Sequence, residues 1–293
     1  MIYILLDFEW NSAYSVKHGR FINEIIQIGA VKLDDSLNIC SKFERTIRSA
    51  ISKKLSNRFI ELTAITNDQM KNGVDFLTAV KDYIEWVGTD DFVTMTWSNS
   101  DLYAVFDNCK SFLKDGYKIN IGKYVDLQKY VQNWLRGKGV EINSQISLEN
   151  AAQKLGINTE ELKLHTAFDD SMLSAKIFKE TFDVDAFFEN SIDTANPKFY
   201  ERLTFKSFTV SDIDSPFINK KHLCFKCDKC NVRAKRITNW KFRNRWFKAI
   251  FKCPKCSEKF EGRVSFKKTF DSVAVKKRTL PLQVRTDKNE VTV

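Results

Sequence analysis

The chain opens on Ile2-Tyr3-Ile4-Leu5-Leu6-Asp7-Phe8-Glu9-Trp10, five apolar residues that run straight into two carboxylates spaced i, i+2. Alternate side chains of an extended strand share a face, so Asp7 and Glu9 point one way and Phe8 points into the opposite layer. Two carboxylates at the end of a buried strand repel each other unless a cation lies between them. Hard divalent cations, which prefer oxygen ligands, are the leading candidates. The plain alternative is an Asp and a Glu leaving a sheet edge into solvent, and the choice turns on whether the rest of the chain supplies partners.

Hydrophobic periodicity places that strand in a larger pattern. Residues 11–22 carry Asn, Ser, Gly and Lys and read as a loop; residues 23–33 are β-branched and apolar, and residues 42–47 alternate, which gives a three-stranded meander. Helices are expected over 54–65, from Asn67-Asp68 through the apolar face Phe76, Ala79, Val80, Tyr83, Ile84 and Val87, after the Ser-Asn-Ser-Asp run at 98–101, over 126–135, over 147–156 and from Thr166 onward. Asp126 sits where an N-cap would. Short strands are expected at 92–97 and 118–121. Strands first, then strands alternating with helices, predict an α/β body with a mixed sheet flanked by helices over residues 1–182. Residues 183–220 show no period and read as a linker or packing segment, 221–278 as a small basic module, and 279–293 as a polar tail.

Composition fits one large domain plus a small one. The 293 residues are 43% hydrophobic and include 24 Phe, enough for a substantial core. Five of the seven Cys crowd between 224 and 256, which reads as a metal site in a reducing compartment rather than a disulfide framework. The N-terminal apolar run is short, lacks a basic leader and carries Asp7, and no apolar run reaches the roughly 18 residues that a bilayer demands. A soluble cytoplasmic protein with no membrane partner is expected. Charge is unevenly placed: residues 183–293 hold 25 Lys and Arg against 13 Asp and Glu, whereas 1–182 hold 22 against 24. A near-neutral body with a basic appendage points to a polyanion such as nucleic acid as partner; a merely soluble basic surface is the bland alternative.

Further carboxylates appear at places where a strand or loop meets a helix. Asp101 lies just beyond the strand at 92–97, and His165 and Asp170 lie at a helix start, positions that an open α/β sheet can bring into one cleft with Asp7 and Glu9. Four carboxylates around two divalent ions about 4 Å apart can clamp both the attacking and the leaving oxygen of a phosphodiester. His165 completes the set as a general base for water, histidine being the side chain whose free form, with a pKa of about 6.5, titrates near working pH. Thr166 followed by Asp169 has the form of a capping box, the carboxylate reaching back to the cap's backbone N–H, which assigns Asp169 to structure and leaves Asp170 for metal. His18 and His222 read as incidental, Trp10, Trp97 and Phe106 as core, and Glu24 as a neutralising partner for a basic neighbour.

Asp7-Phe8-Glu9-Trp10, Glu24-Ile25-Ile26-Gln27-Ile28-Gly29-Ala30-Val31, Leu62-Thr63-Ala64-Ile65-Thr66, the Asp after Trp-Ser-Asn-Ser and His165-Thr166-Ala167-Phe168-Asp169-Asp170-Ser171 together resemble the DEDDh branch of the DnaQ-like 3′-to-5′ exonucleases, among them the Eri-like and KapD-type proteins. Thr166 stands where the DEDDy branch has Tyr. The resemblance implies an RNase H-like fold, two Mg²⁺ or Mn²⁺ ions, release of 5′-mononucleotides from a 3′ end, Asp7, Glu9, Asp101 and Asp170 as metal ligands and His165 as the base. The choice of RNA rather than DNA as substrate is implied by the resemblance alone, because no residue in the sequence reads a 2′-hydroxyl. Ala64 departs from the pattern, which commonly has Gly there; Ala is small enough for the turn to survive, with strain in the backbone.

Phe225-Lys226-Cys227-Asp228-Lys229-Cys230 and Phe251-Lys252-Cys253-Pro254-Lys255-Cys256 form an internal repeat. Paired Cys-x2-Cys turns are the two knuckles of a zinc ribbon, so Cys227, Cys230, Cys253 and Cys256 are expected to hold one structural Zn²⁺. Cys224 has the spacing to displace Cys230, but only the 227/230 register makes the knuckles equivalent. Between them Arg233, Lys235, Arg236, Trp240, Lys241, Arg243, Arg245 and Trp246 interleave charge with aromatic rings, a pattern that can hold phosphates and stack unpaired bases. The aromatic residues can equally be the ribbon's small core and the cations its solvated face. The whole reads as an RNase H-like exonuclease with a C-terminal β zinc ribbon that grips nucleic acid. A DNA exonuclease and a non-catalytic nucleic-acid-binding module are the rivals, and protein partners are left open.

Overall fold

A computed structural model of the chain describes residues 1–113 and 119–282. They divide into two compact units, residues 1–203 and 204 onward. Among the described residues, no helix is long and apolar enough to cross a membrane.

In the first unit β1 (Ile2–Ser15), β2 (Arg20–Leu33) and β3 (Ile39–Thr46) form the meander. Helices α1 (Asn57–Thr63), α2 (Asn67–Lys71) and α3 (Phe76–Val87) follow, then β4 (Phe92–Thr96), α4 (Ser100–Phe112), β5 (Lys123–Asp126), α5 (Leu127–Gly137), α6 (Leu148–Lys154), α7 (Ala167–Thr181), α8 (Val184–Asn190), β6 (Ile192–Asp193) and α9 (Pro197–Thr204). The sheet order is β3-β2-β1-β4-β5-β6, antiparallel at both edges and parallel across β1, β4 and β5. This is the mixed α/β sheet that the order of strands and helices predicts, with the RNase H-like fold that the resemblance implies. One face packs Ile4, Leu6 and Phe8 against α3 and α4; the other packs Tyr3, Leu5 and Met95 against α5, α7 and α8. Phe8 is thus anchored in the layer opposite Asp7 and Glu9.

Several boundaries differ from the sequence reading. The expected loop at 11–22 is largely strand: β1 and β2 remain paired to Ser15 and Arg20, because Ala13 and Ile22 face each other in a buried position and the turn needs only residues 16–19. The single helix expected from Asn67 breaks at Gly73 into α2 and α3, each with its own cap, Thr66 and Asp75. The cap expected from Ser98–Asp101 side chains is not made; Asn99 is the cap residue and forms no side-chain cap bond. Of the strand expected at 118–121, Lys118 lies outside the described residues; Ile119 and Ile121 are buried without strand geometry, and the strand begins at Lys123.

The body does not close at 182, and of the two readings of 183–220, linker or packing segment, the second describes it. Phe187 is fully buried among Tyr3, Tyr130 and Phe178, β6 pairs with β5, and Phe199 and Leu203 enter the α3–α4 core. Its aromatic residues are spread over short elements, so no periodicity marks them. Residues 204–220 belong to the second unit, where β7 (Phe208–Thr209) pairs with β11 (Lys259–Lys268) and Val210 and Ile218 are buried. That unit continues through a 3-10 turn (Lys220–Leu223), β8 (Lys235–Arg236), β9 (Lys241–Arg243), β10 (Trp246–Lys252) and, after β11, β12 (Val273–Pro281). Its sheet runs β12-β11-β10-β8, with β9 also pairing with β10. Of the expected tail, residues 279–281 are strand and 283–293 lie outside the described residues.

Candidate active site and cysteine centre

The cleft arises where the sheet forks. β1 pairs with β4 only from Ile2 to Leu5, opposite Phe92 to Met95, and then continues with β2 alone. Asp7 and Glu9 lie just beyond that fork, at the switch point where open α/β sheets place their sites. The β1–β2 register shifts between Glu9 and Trp10, leaving Ile26 as the extra residue. Such bulges recur beside active sites, where they re-aim side chains. Ile26 turns into the small cluster of Leu55, Phe59, Ile65 and Met70 while Ile25 and Ile28 both stay in the main core. The Ile25 N–H left by the bulge donates to buried Asn108 Oδ1 at 3.0 Å, and the Asn108 amide donates to the Asn23 and Ala104 carbonyls.

Helix α7 carries the third carboxylate. Carboxyl oxygens of Asp7, Glu9 and Asp170 lie within 4.8 Å of one another. Asp101, 3% exposed, stands outside that trio, yet its field reaches both Asp7 and Glu9. Burial, reinforced by Asp101, Asp170 and Glu9, holds the Asp7 carboxyl well above the usual range. Burial with Asp170 and Asp101 pushes Glu9 up to about 8, and burial pushes Asp101 to about 8 against the pull of the Asp101 and Phe8 backbone amides. Asp170 is raised as well, by burial, and held back by the His165 N–H. A converging set of oxygen donors that resists ionisation fits a divalent cation, whose charge would reverse each of these shifts.

His165 is exposed at the edge of this group. Its backbone is left-handed at φ 69°, and its N–H donates to Asp170 Oδ1 at 3.2 Å. Asp169 takes the structural place expected of it by a different contact: its carboxylate accepts from the Thr166 hydroxyl at 3.0 Å, not from the Thr166 backbone. The chain supplies its own comparison. At Thr66 the longer Gln69 does reach back to the backbone N–H, at 2.8 Å, and Asp is one methylene too short to do so.

Two positioning residues escaped the sequence reading. Gln27 accepts the first N–H of α7, from Ala167, at 3.0 Å and donates to Glu44. Gly29 lies directly beneath that helix start: a methyl group there would meet the Ala167 carbonyl carbon at 2.1 Å, and the Gly29 carbonyl accepts from Ser171 Oγ at 2.9 Å. A glycine inside a β-branched strand was the available signal, since it marks close approach of another backbone. Among the described residues Glu24 makes no ion pair; it accepts from the Ser49 hydroxyl and from the Ala50 and Ile51 N–H groups. Asp126 caps α5 through the Lys129 N–H, and Trp10, Trp97 and Phe106 pack on the cores.

In the second unit the sulfurs of Cys227, Cys230, Cys253 and Cys256 lie within 4.8 Å of one another. The repeat in sequence is a repeat in backbone. Asn231 and Ser257, each just after a knuckle, are left-handed at φ 51° and 57°, and their N–H groups donate to the Cys227 and Cys253 carbonyls at 2.8 and 3.0 Å. The Cys256 and Lys255 backbone amides draw the Cys253 thiol down to about 7, while the hydrogen bond to Cys256 and burial push Cys230 up to about 12, a shift that a bound cation would reverse. Four converging thiols suit a closed tetrahedral zinc site. Cys224 stands outside the group, its sulfur accepting from Arg233 at 2.9 Å.

The proposed nucleic-acid residues separate. Trp240 packs on Phe225 and Phe251 with Arg236 over its ring, so it belongs to the core. Arg233 is engaged at Cys224, and Arg245 sits in the β9–β10 turn, left-handed at φ 64°. Lys235, Lys241, Arg243 and Trp246 are sheet residues, with Arg278 over the Trp246 ring at 5.5 Å.

Set beside known proteins, residues 5–178 match the family described as Exonuclease (RNase_T). The 3′-5′ exoribonuclease 1 of Rattus norvegicus is 28% identical over 170 residues, covering 54% of this chain and 47% of the relative, so the chain spans about half the length of that protein. KapD of Bacillus subtilis (strain 168), described as a probable 3′-5′ exonuclease, is 26% identical over 181 residues, or 60% of this chain and 82% of KapD. Among solved structures, the nuclease domain of 3′hExo, a DEDDh family member bound to rAMP, superposes with a TM-score of 0.52 at 25% identity, covering 61% of this chain and 90% of that domain.

Proposed function

The chain belongs to the RNase_T exonuclease family, and on that footing we propose that it is a DEDDh-type 3′-to-5′ exonuclease that releases 5′-mononucleotides, from RNA in preference to DNA. The observation that carries this reading is the convergence of Asp7, Glu9 and Asp170 within 4.8 Å, just past the point where β1 leaves β4. Preference for RNA rests on the relatives: the rat protein is named an exoribonuclease and the 3′hExo domain holds rAMP.

Asp7, Glu9, Asp101 and Asp170 would hold two Mg²⁺ or Mn²⁺ ions. When bound, these supply an activated water and neutralise charge on the attacking and leaving oxygens. His165, exposed beside Asp170, would take a proton from the attacking water as the water's oxygen bonds to phosphorus. The bond from phosphorus to the 3′ oxygen would break with its electron pair going to that oxygen, which takes a proton from solvent water and becomes the hydroxyl of the new strand end. The Asp170 carboxylate holds the His165 main chain, so the base and a ligand are set by one turn. Cys227, Cys230, Cys253 and Cys256 would hold one structural Zn²⁺, with no position open for chemistry. Such reduced thiols suit a cytoplasmic setting. The basic ribbon would supply affinity for nucleic acid and the body the cut.

The test is mononucleotide release from matched 3′- and 5′-labelled RNA and DNA, with Mg²⁺, with Mn²⁺ and with EDTA. Metal-dependent release of the 3′ label first, faster from RNA, is expected, and Asp7→Ala or Glu9→Ala should abolish it. Release that is unchanged in either variant overturns the assignment of the site; equal rates on DNA overturn the sugar preference.

A further inference from the structure

The sheet of the second unit aligns its cations in a way that neither the sequence nor the relatives disclose. Directly paired residues of antiparallel strands share a face. Lys241 of β9 pairs with Lys248 of β10, Lys248 with Arg263 of β11, and Arg263 with Arg278 of β12. One basic residue from each of four consecutive strands therefore lies in a single row across the sheet. With neighbouring strands about 4.8 Å apart, the row spans about 14 Å. Beside it runs a second row in which Arg243 pairs with Trp246, and Lys276 lies opposite Ser265.

This is the solvent face. The alternate residues Phe247, Ala249, Phe251, Phe260, Val264 and Phe266 are buried on the other side. Lys241, Arg243, Lys276 and Arg278 are exposed, and Lys248, Arg263 and Trp246 half-buried. Among the described strand residues of this sheet the one acid is Glu261, which pairs with Arg263. Lys277, by contrast, is turned to the inner side, over the Phe225 ring and donating to the Cys224 carbonyl.

We propose that this face binds single-stranded nucleic acid laid across the strands, its phosphates along the row Lys241, Lys248, Arg263 and Arg278 and a base stacked on Trp246. A row of cations suits a backbone of regularly repeated negative charge. The aromatic ring selects the unpaired form, because a base must leave its own stack to use it, and base–aromatic stacking is indifferent to sequence. The proposal deepens the nuclease reading and rests on it for the identity of the polyanion. It moves the contact surface off Arg233, Arg236 and Trp240 and onto β11 and β12, which no sequence motif marks.

The test is fluorescence anisotropy of a labelled single-stranded RNA oligonucleotide and of its duplex with the full, zinc-loaded protein, without added Mg²⁺ or Mn²⁺, over a range of salt. Lys248→Gln with Arg278→Gln should weaken single-strand binding tenfold or more and flatten the slope of log K against log salt by about 1.4, at about 0.7 per phosphate contact. The same neutralisation at Lys220 and Lys221, on the turn whose His222 packs against inward-facing Phe266, should leave both unchanged. Trp246→Leu should weaken single-strand binding about tenfold, and Trp246→Phe should largely restore it. Equal losses from the two Gln pairs, or a duplex bound as tightly as the single strand, overturn the proposal. Zinc content identifies misfolded variants; should the first pair lose zinc, exposed Lys241→Gln with Lys276→Gln puts the same question. Mononucleotide release measured alongside separates the two readings: binding as expected without metal-dependent release overturns the exonuclease and not the face, and release with a silent row overturns only the face.

Discussion

Gly29 and Ala167 are in backbone contact, so close that a methyl group on Gly29 would lie 2.1 Å from the Ala167 carbonyl carbon. The start of α7 is seated on β2 at this point, and Asp170 is delivered to Asp7 and Glu9 from there. Gly29→Ala is expected to destabilise the first unit by about 3 kcal/mol, the upper range for overpacking, because main chain cannot step aside as a side chain can. Divalent-metal stabilisation should fall with it. Thermal unfolding with and without Mn²⁺ measures both; unchanged metal stabilisation would mean that Gly29 does not position Asp170.

The buried carboxylates make stability depend on pH in a set direction. Glu9 and Asp101 hold protons up to about pH 8 in the folded protein, whereas an unfolded chain releases them near pH 4. The folded state thus binds more protons between these limits, and stability without divalent metal should decline from about pH 4.5 to about pH 8. Metal replaces those protons, so the rise in Tm on adding Mg²⁺ or Mn²⁺ should be larger at pH 8 than at pH 5. Asp101→Asn should flatten the metal-free decline. Unfolding scans across that range, with zinc retained, check the sign.

Ala64 closes α1 in a left-handed conformation, φ 55° and ψ 16°, where its N–H bonds the Ile60 carbonyl. Left-handed backbone costs a residue with a Cβ about 1 kcal/mol or more, so Ala64→Gly should stabilise the first unit by about 1 kcal/mol, read as a higher denaturant midpoint. A loss of stability would show that the Ala64 methyl makes a compensating contact.

The two knuckles share one backbone, which sets the outcome of single cysteine replacements. Cys230→Ser should lose most bound zinc, and Cys224→Ser should keep one zinc per chain, because Cys224 is held by Arg233 and Lys277 outside the group of four. Metal analysis of the purified variants distinguishes them. Zinc lost from Cys224→Ser and kept by Cys230→Ser would place the ligand at 224.

Asn108 holds the bulge that bends β2 past the site. Asn108→Leu removes the partner of the buried Ile25 N–H and should cost about 2 kcal/mol, with catalysis falling as the β1–β2 register loosens. Full activity with only a stability loss would confine Asn108 to folding.

The sequence alone fixed the features that are local in character. Asp7 and Glu9 share a face because strand geometry alternates, Asp126, Ser147 and Thr166 cap helices because their oxygens reach an N–H three residues on, and the Phe-Lys-Cys repeat folds into two like turns because like sequences meet like backbone constraints. Tertiary structure decided what depends on distant partners. The extent of β1 and β2 follows from Ala13 meeting Ile22, the place of residues 183–203 from Phe187 and Phe199 finding cores built by other elements, and the seat of Asp170 from the bare surface of Gly29. The cation row across β9 to β12 is the plainest case. Lys241, Lys248, Arg263 and Arg278 are scattered along the chain, and only the register of three antiparallel pairings, set by which side chains the core accepts, puts them side by side.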